Sequence, residues 1–320
     1  MSWDIEGRTV LITGAARGIG ADAAERLHAR GANVALVGLE PERLEALVAR
    51  LGEDRAAAFE ADVTSPEALE RAVAGTVQRF GALDVAVANA GLHFVGALTS
   101  APLAQLEREL AVNLHGVLHT VRAAAPHVVA RRGYLLNVAS LAAASHAPLM
   151  GAYAASKAGV EAMTNALRQE LRPSGTRVGC AYFGFIETDL VRESFEHPSS
   201  RTLERLMPKF VRETVPVGEA GKAIERAVTG RKGRVWAPKY VGGALALRGV
   251  LQPLIEARAL RDKSVAEAIA QADPATGALD AQDLALGVAR RRASEAAAAS
   301  GAPAAPAASE PATPDLAGAA

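Results

Sequence analysis

This sequence lacks most of the features that would place it in a specialised class. Its 320 residues include one cysteine, Cys180, so no internal disulfide can form, and the apolar run "RVGCAYF" around it implies a buried, inert thiol. Formal net charge is zero, which gives no bulk attraction to nucleic acid or to an acidic surface. No apolar run reaches the roughly 18 residues a membrane span needs. The nearest stretch, 241–255, is broken by Arg248 and Pro253. The opening "MSWDIEGRTV" carries acids and no long apolar region, unlike a signal peptide, so a cytoplasmic location is expected. No group of residues has metal-ligand spacing, and no metal is expected. Lysine is scarce too: six against 29 arginines, with none before Lys157.

What is present is ordinary for a soluble globular chain, with half the residues hydrophobic and 22% charged. Short β-branched runs alternate with helical patterns. "TVLITG" (9–14), "NVALVG" (33–38), "AAAFEADV" (56–63), "DVAVANAG" (84–91), "GYLLNVAS" (133–140), "RVGCAYF" (177–183) and "GRVWAP" (233–238) read as strands. Helices are expected over 19–30, 41–52, 66–80, 103–129 and 153–171. Continuous apolar strands separated by helices imply a doubly wound parallel sheet, the α/β Rossmann-like class. The expected organisation is one catalytic domain over 1–240, a helical extension over 241–293 and an Ala/Pro-rich tail over 294–320.

"TGAARGIG" (13–20) joins the first strand to the first helix. Glycines in such a turn let a phosphate approach the backbone, and the helix N–H groups point at it. Here Gly14, Gly18 and Gly20 are spaced G-x-x-x-G-x-G. At the end of the second strand an acid would take a ribose 2′-hydroxyl, but Gly38 stands there, followed by Leu39 and Glu40. Arg17 inside the turn suits a 2′-phosphate, because guanidinium forks match phosphate. These residues favour NADP; Glu40 on the ribose, with NAD, is the other reading.

"YAASK" (153–157) places a tyrosine and the first lysine four residues apart, on one helix face. A phenol with a pKa near 10 is a poor acid or base at neutral pH. A nearby ammonium stabilises phenolate and draws that value down, towards useful acid–base work. A compact ammonium differs from a planar guanidinium in reach, which accounts for a lysine in an arginine-rich chain. The plainer alternative is two unrelated residues one turn apart.

Together with "ADV" (61–63), "NAG" (89–91), "VNLHG" (112–116) and "NVAS" (137–140), these motifs occur in an order that resembles the short-chain dehydrogenase/reductase family over about residues 5–240. The resemblance implies an oxidoreductase interconverting a secondary alcohol and a ketone with NADP or NAD. It implies Tyr153 as general acid–base, Lys157 lowering its pKa and binding the nicotinamide ribose, and Ser140 polarising the carbonyl. Asn113 is implied to hold a relay water. The implied cofactor contacts are Gly14, Ala16, Arg17, Gly18, Ile19, Gly20, Asp62, Val63, Asn89, Ala90, Gly91, Tyr153, Lys157, Gly184, Ile186 and Thr188. Taken alone, Ser140 is a polar strand end and Asn113 an asparagine inside a helix. A homo-oligomer is also implied by resemblance.

One motif departs from the family. "FGFIET" (183–188) has Phe183 where proline is usual, which frees φ, restores an N–H and brings a bulky ring that would line the pocket. The segment from about 189 to 215 matches the variable substrate lid and mixes Leu190, Phe195, Leu206, Met207 and Phe210 with basic residues. His93 and His146 are candidates to touch substrate. Residues 239–260 would pack on the core, or else lie against a membrane or a second subunit. A nucleotide-sensing protein with little turnover is the competing function, though it would have no need of an acid–base pair. The tail from 294 has almost nothing to bury, so its removal is expected to leave melting temperature and activity unchanged; a marked drop in either would show that it docks.

Overall fold

In a computed structural model, which describes residues 3–272, the alternating pattern becomes a single parallel sheet covered on both faces. The first half comprises β1 (Thr9–Thr13), α1 (Gly18–Ala29), β2 (Asn33–Gly38), α2 (Pro41–Leu51), β3 (Ala56–Glu60), α3 (Pro66–Phe80) and β4 (Val85–Ala88). Helices α4 (Leu103–Leu110) and α5 (Gly116–Ala130) lead to β5 (Tyr134–Val138), α6 (Gly151–Glu170) and β6 (Arg177–Phe183). Short helices α7 (Asp189–Glu196), α8 (Pro198–Glu204) and α9 (Lys209–Arg212) precede α10 (Val217–Gly230) and β7 (Arg234–Ala237). Three helices follow, α11 (Lys239–Ala246), α12 (Arg248–Ala259) and α13 (Lys263–Gln271). The expected tail at 294–320 lies outside the described residues.

The seven strands run in the order β3-β2-β1-β4-β5-β6-β7. The chain reverses its winding between β1 and β4, and the crevice beyond their carboxyl ends is where such a sheet binds ligands. Side chains alternate faces along each strand. Val10 and Ile12 join a core with Ala23, Leu27 and Ile224, whereas Leu11 joins Leu69, Val121 and Val160 on the opposite face. Cys180 is fully buried in that second core, and burial pushes its thiol up to about 11, as an inert thiol requires.

Strands end where polar groups begin other work. The strand expected over 56–63 stops at Glu60, because Asp62 turns back to accept the Thr64 N–H at 2.8 Å. The strand expected over 84–91 stops at Ala88, because Asn89 bonds across to β1. The helix expected over 103–129 contains a wide π turn at Ala111–His115, in which the Gly116 N–H donates to the Ala111 carbonyl. Asn113 sits inside that turn and binds Leu92.

The last three helices divide in their packing. Val241 of α11 is fully buried, and Ala268 and Ala272 form a small apolar cluster with Val95 and Leu149, with Leu203 of α8 packed against it. Thr202 donates to Gln271 at 3.0 Å. By contrast α12 buries none of its residues, and Leu247, Val250, Leu254 and Leu260 face solvent. Core packing expected for 239–260 therefore holds at Val241 of α11 and fails for α12, most of whose apolar residues point outward, while α13, beyond that segment, packs on α8. Among the described residues no helix is long and apolar enough to cross a membrane.

Truncation after Asp262 removes α13 and uncovers Val95, Leu149 and Leu203. Taking about 2 kcal/mol for the lost apolar contacts and hydrogen bond, melting temperature should fall by roughly 4–8 °C relative to a chain ending at Ala272. Equal melting of the two chains by calorimetry would mean that α13 stabilises nothing.

Candidate active site

The glycine turn after β1 is stitched to the end of β4. Asn89 donates through Nδ2 to the carbonyls of Thr13 at 3.0 Å and Gly14 at 3.2 Å, and its N–H donates to the Thr13 hydroxyl at 3.0 Å. Gly14 has φ +65° and Gly18 φ +58°, left-handed conformations that side chains rarely adopt. A Cβ on Gly14 would meet Ala90 Cα at 2.8 Å, and one on Gly20 would meet the Gly14 carbonyl oxygen at 2.2 Å. Ala16 and Ile19 pack against the core from within this segment. The N-terminus of α1 begins at Arg17 with no side-chain cap and no acid in its first turn. Its free N–H groups are thus left for an anion, and this bare backbone cradle fits the pyrophosphate of a dinucleotide.

Arg17 pairs with Glu40 at 3.1 Å and with Asp189 at 3.4 Å, while Arg43 pairs with the other Glu40 oxygen at 3.2 Å. Two guanidiniums therefore flank the end of β2. Sequence reasoning found Arg17 and missed Arg43, whose signal is its place one turn into α2. Asp62, an expected cofactor contact, accepts the Thr64 hydroxyl at 2.7 Å and Arg108 at 2.9 Å. Partial burial acts to raise its pKa, but the bonds from Thr64 and Arg108 outweigh it and hold the carboxyl below the usual range. Val63 lies buried beside it.

Ser140, Tyr153 and Lys157 converge at the end of β5. The Ser140 hydroxyl accepts from the Ala142 N–H at 3.1 Å and donates to the Phe183 carbonyl at 3.2 Å. Lys157 is buried on α6, donates to the Val138 carbonyl at 3.0 Å, and lies 5.7 Å from the centre of the Tyr153 ring. Asn113 is buried, accepting from the Leu92 N–H at 2.9 Å and donating to the Leu92 carbonyl at 2.7 Å. A Cβ on Gly91 would lie 3.1 Å from Asn113 Oδ1 and 3.4 Å from Lys157 Nζ. A glycine there leaves a gap flanked by both polar atoms.

Electrostatics differ from the sequence expectation. Burial pushes the Tyr153 phenol up to about 12, against the smaller downward effect of Ser140 and alongside the upward effect of Glu109. The burial that brings the ammonium near also removes the water that would solvate phenolate, and that loss is the larger effect. The same burial lowers Lys157 to about 8, the carboxyl of Glu109 acting in the other direction.

After β6, Phe183 is the last strand residue, paired with Ala237, and its ring belongs to the core rather than to a pocket wall. The next ring, Phe185, lies beyond the strand, half-buried, and packs on Phe195 of α7 with centroids 4.9 Å apart. Gly184 donates to the Ala237 carbonyl at 2.9 Å, and a Cβ there would meet the Tyr240 hydroxyl at 2.6 Å. Ile186 is buried and bridged to Val215, and Thr188 caps α7 by accepting from the Val191 N–H. His146 is exposed, with its backbone clamped by Gln252. His93 lies buried against Tyr153, ring centroids 4.7 Å apart. Behind it stands Glu109, missed in the sequence although a charge three residues after Leu106 on an inward helix face signals it.

Residues 8–199 match the family model described as short chain dehydrogenase. The chain is 35% identical over 191 residues to a trans-4-hydroxycyclohexanecarboxylate dehydrogenase of Sinomonas cyclohexanicum, covering 57% of this chain and 74% of that one. It is 32% identical over 222 residues to a 2-(R)-hydroxypropyl-CoM dehydrogenase of Xanthobacter autotrophicus, covering 67% and 89% respectively. A short-chain dehydrogenase/reductase structure from Brucella melitensis, described as a glucose/ribitol dehydrogenase, aligns with TM-score 0.66 at 32% identity over 74% of this chain and 96% of that one.

Between about 8 and the usual 10.5, the unfolded chain holds a proton on Lys157 that the folded chain does not. Its burial therefore opposes folding fully below pH 8, and the penalty fades as pH rises. Lys157→Met removes the penalty and strands the Val138 carbonyl, a loss independent of pH. The stability of Lys157→Met relative to wild type should fall by about 3 kcal/mol from pH 8 to 10.5 in urea denaturation. A difference that stays constant with pH would mean the ammonium is not desolvated.

Proposed function

The chain belongs to the short-chain dehydrogenase family, and from that premise we propose that it interconverts a secondary alcohol and a ketone using NADP in preference to NAD, with Tyr153 moving the proton. The observation that carries this reading is the convergence of Ser140, Tyr153 and Lys157 beside an uncapped, glycine-lined helix start. When bound, the nicotinamide accepts or supplies the hydride. The residues to hold the nucleotide are the turn Gly14–Gly20, Asp62 and Val63, Asn89–Gly91, Lys157, and Ile186 with Thr188.

Ketone reduction needs a proton at the carbonyl oxygen. A phenol held at about 12 keeps its proton at neutral pH but is a weak acid, so giving that proton up depends on the stabilisation of the phenolate left behind. Ser140 sits beside it to orient and polarise the same oxygen, turning its hydroxyl away from the Phe183 carbonyl. Lys157 stabilises the phenolate that results, and the gap over Gly91 between Lys157 and Asn113 is where a relay water fits. In the oxidising direction the phenol first passes its proton out through Lys157 and the relay water, and the phenolate so formed accepts the alcohol proton. Substrate contacts fall to Phe185 and Phe195 and to the lid from α7 to α9, a partly apolar wall. A medium-sized, fairly apolar alcohol suits it.

NADP is favoured by magnitude. The pairs of Arg17 and Arg43 with Glu40 are partly exposed, and such pairs contribute about 0.2–1 kcal/mol each. A 2′-phosphate offers both guanidiniums stronger charge-assisted bonds, so they are readily drawn from Glu40. The same family reading includes a homo-oligomer, checked by light scattering, and a cytoplasmic setting.

Titration with NADPH and NADH, followed by fluorescence, should show tighter NADPH binding that drops about 10-fold in Arg17→Ala with NADH unaffected. Preference for NADH would instead give the ribose to Glu40. Tyr153→Phe should cut turnover by about 10²–10⁴-fold while nucleotide binding survives. Equal loss of binding would make the tyrosine structural, and binding without turnover in the wild type would favour a nucleotide sensor.

A further inference from the structure

Glu109 on α4 is wholly buried, and its neighbours satisfy only half of it. Oε1 accepts from the Phe94 N–H at 3.0 Å and lies 3.0 Å from His93 Nδ1, whereas Oε2 is buried with no partner. A buried carboxylate is unfavourable by several kcal/mol unless fully paired, and an apolar residue of similar size would be the more stable occupant. The imidazole that it orients packs directly on the Tyr153 ring, and about a tenth of the His93 side chain is accessible. With Nδ1 turned to Glu109, Nε2 points away from the carboxylate, because the two nitrogens lie on opposite sides of Cε1.

We propose that Glu109 and His93 form a recognition subsite beside the phenol, in which His93 hydrogen-bonds a second, neutral hydroxyl carried near the reacting carbinol carbon of the substrate. This deepens the proposed oxidoreductase reading and rests on it. A hydroxyl suits the site in either state of the ring: it donates to a bare Nε2 and accepts from a protonated one. An anionic substituent does not suit it, because Glu109 stands behind the ring with an uncompensated oxygen. His93 is thus a specificity-determining residue, and Glu109 is the positioning residue that fixes its ring.

The test compares matched alcohols: cyclohexane-1,2-diol against cyclohexanol, and butane-2,3-diol against butan-2-ol. Wild type should favour each diol in kcat/KM by about 10- to 100-fold, the value of one hydrogen bond in a closed site. His93→Phe keeps a ring against Tyr153 and should bring that ratio to about one, whatever common change it makes to the turnover of diol and mono-alcohol. Because this variant leaves Glu109 without its partner, the double variant His93→Phe with Glu109→Leu serves if the single one fails to fold. A purely structural pair would lower turnover of diol and mono-alcohol alike and leave the ratio unchanged, which overturns the proposal. Diol binding to the NADP-saturated protein is read in parallel by thermal shift. Diol binding that His93→Phe abolishes, with no turnover of any alcohol, would sink the oxidoreductase reading and leave the subsite standing. Neither binding nor turnover of any of the four would sink both.

Discussion

Everything at the candidate site depends on a parallel sheet sealed on both faces. Seven strands bury mostly apolar side chains above and below, and polar ones such as Asn137 and Tyr182 are already bonded within the core. Polar groups therefore collect at the carboxyl edge, where strands stop and backbone groups need new partners. Asn89, Asp62, Ser140 and Asn113 each satisfy backbone N–H or carbonyl groups at that edge. They hold loops in place first, and only a scaffold so held can present a bare helix start to an anion.

Burial also sets the electrostatics of the site. It raises the Tyr153 phenol and lowers the Lys157 ammonium, so both neutral forms are favoured. The lysine stays charged at neutral pH because its depressed value, about 8, still lies above 7. A cation kept in so dry a place acts strongly on any charge that develops nearby. Glu109 works against it by raising the phenol further, so the field at Tyr153 is a balance among Lys157, Ser140 and a carboxylate.

Local pattern revealed much of this. Every expected strand is present, and Asn33–Gly38 and Arg177–Phe183 keep the expected limits. Errors at strand ends share one cause. Asp62, Asn89 and Ser140 follow apolar runs and extend the apparent strand, while their side chains turn the backbone out of it. Phe183 was misjudged for a related reason, since it is still a strand residue and both faces of β6 are buried in core. Its place at the end of β6 sends it to the core and leaves Phe185 outside. The outward row on α12 could not be read from its apolar content, because periodicity marks a face without saying what covers it.

The sequence alone determined the order of strands and helices, the glycine turn that opens α1 and the i, i+4 pairing of Tyr153 with Lys157, because each depends on neighbours within a few residues. Only tertiary structure decided which charges meet. Glu109 comes to His93 across 16 residues, Arg108 to Asp62 across 46 and Arg17 to Asp189 across 172. It also brought α13 back over α8, where Ala268 and Ala272 close a small apolar cluster with Val95 and Leu149. Burial, and with it the protonation of Tyr153 and Lys157, belongs to this second group. It depends on how much water the whole fold excludes, a quantity no local stretch of sequence contains.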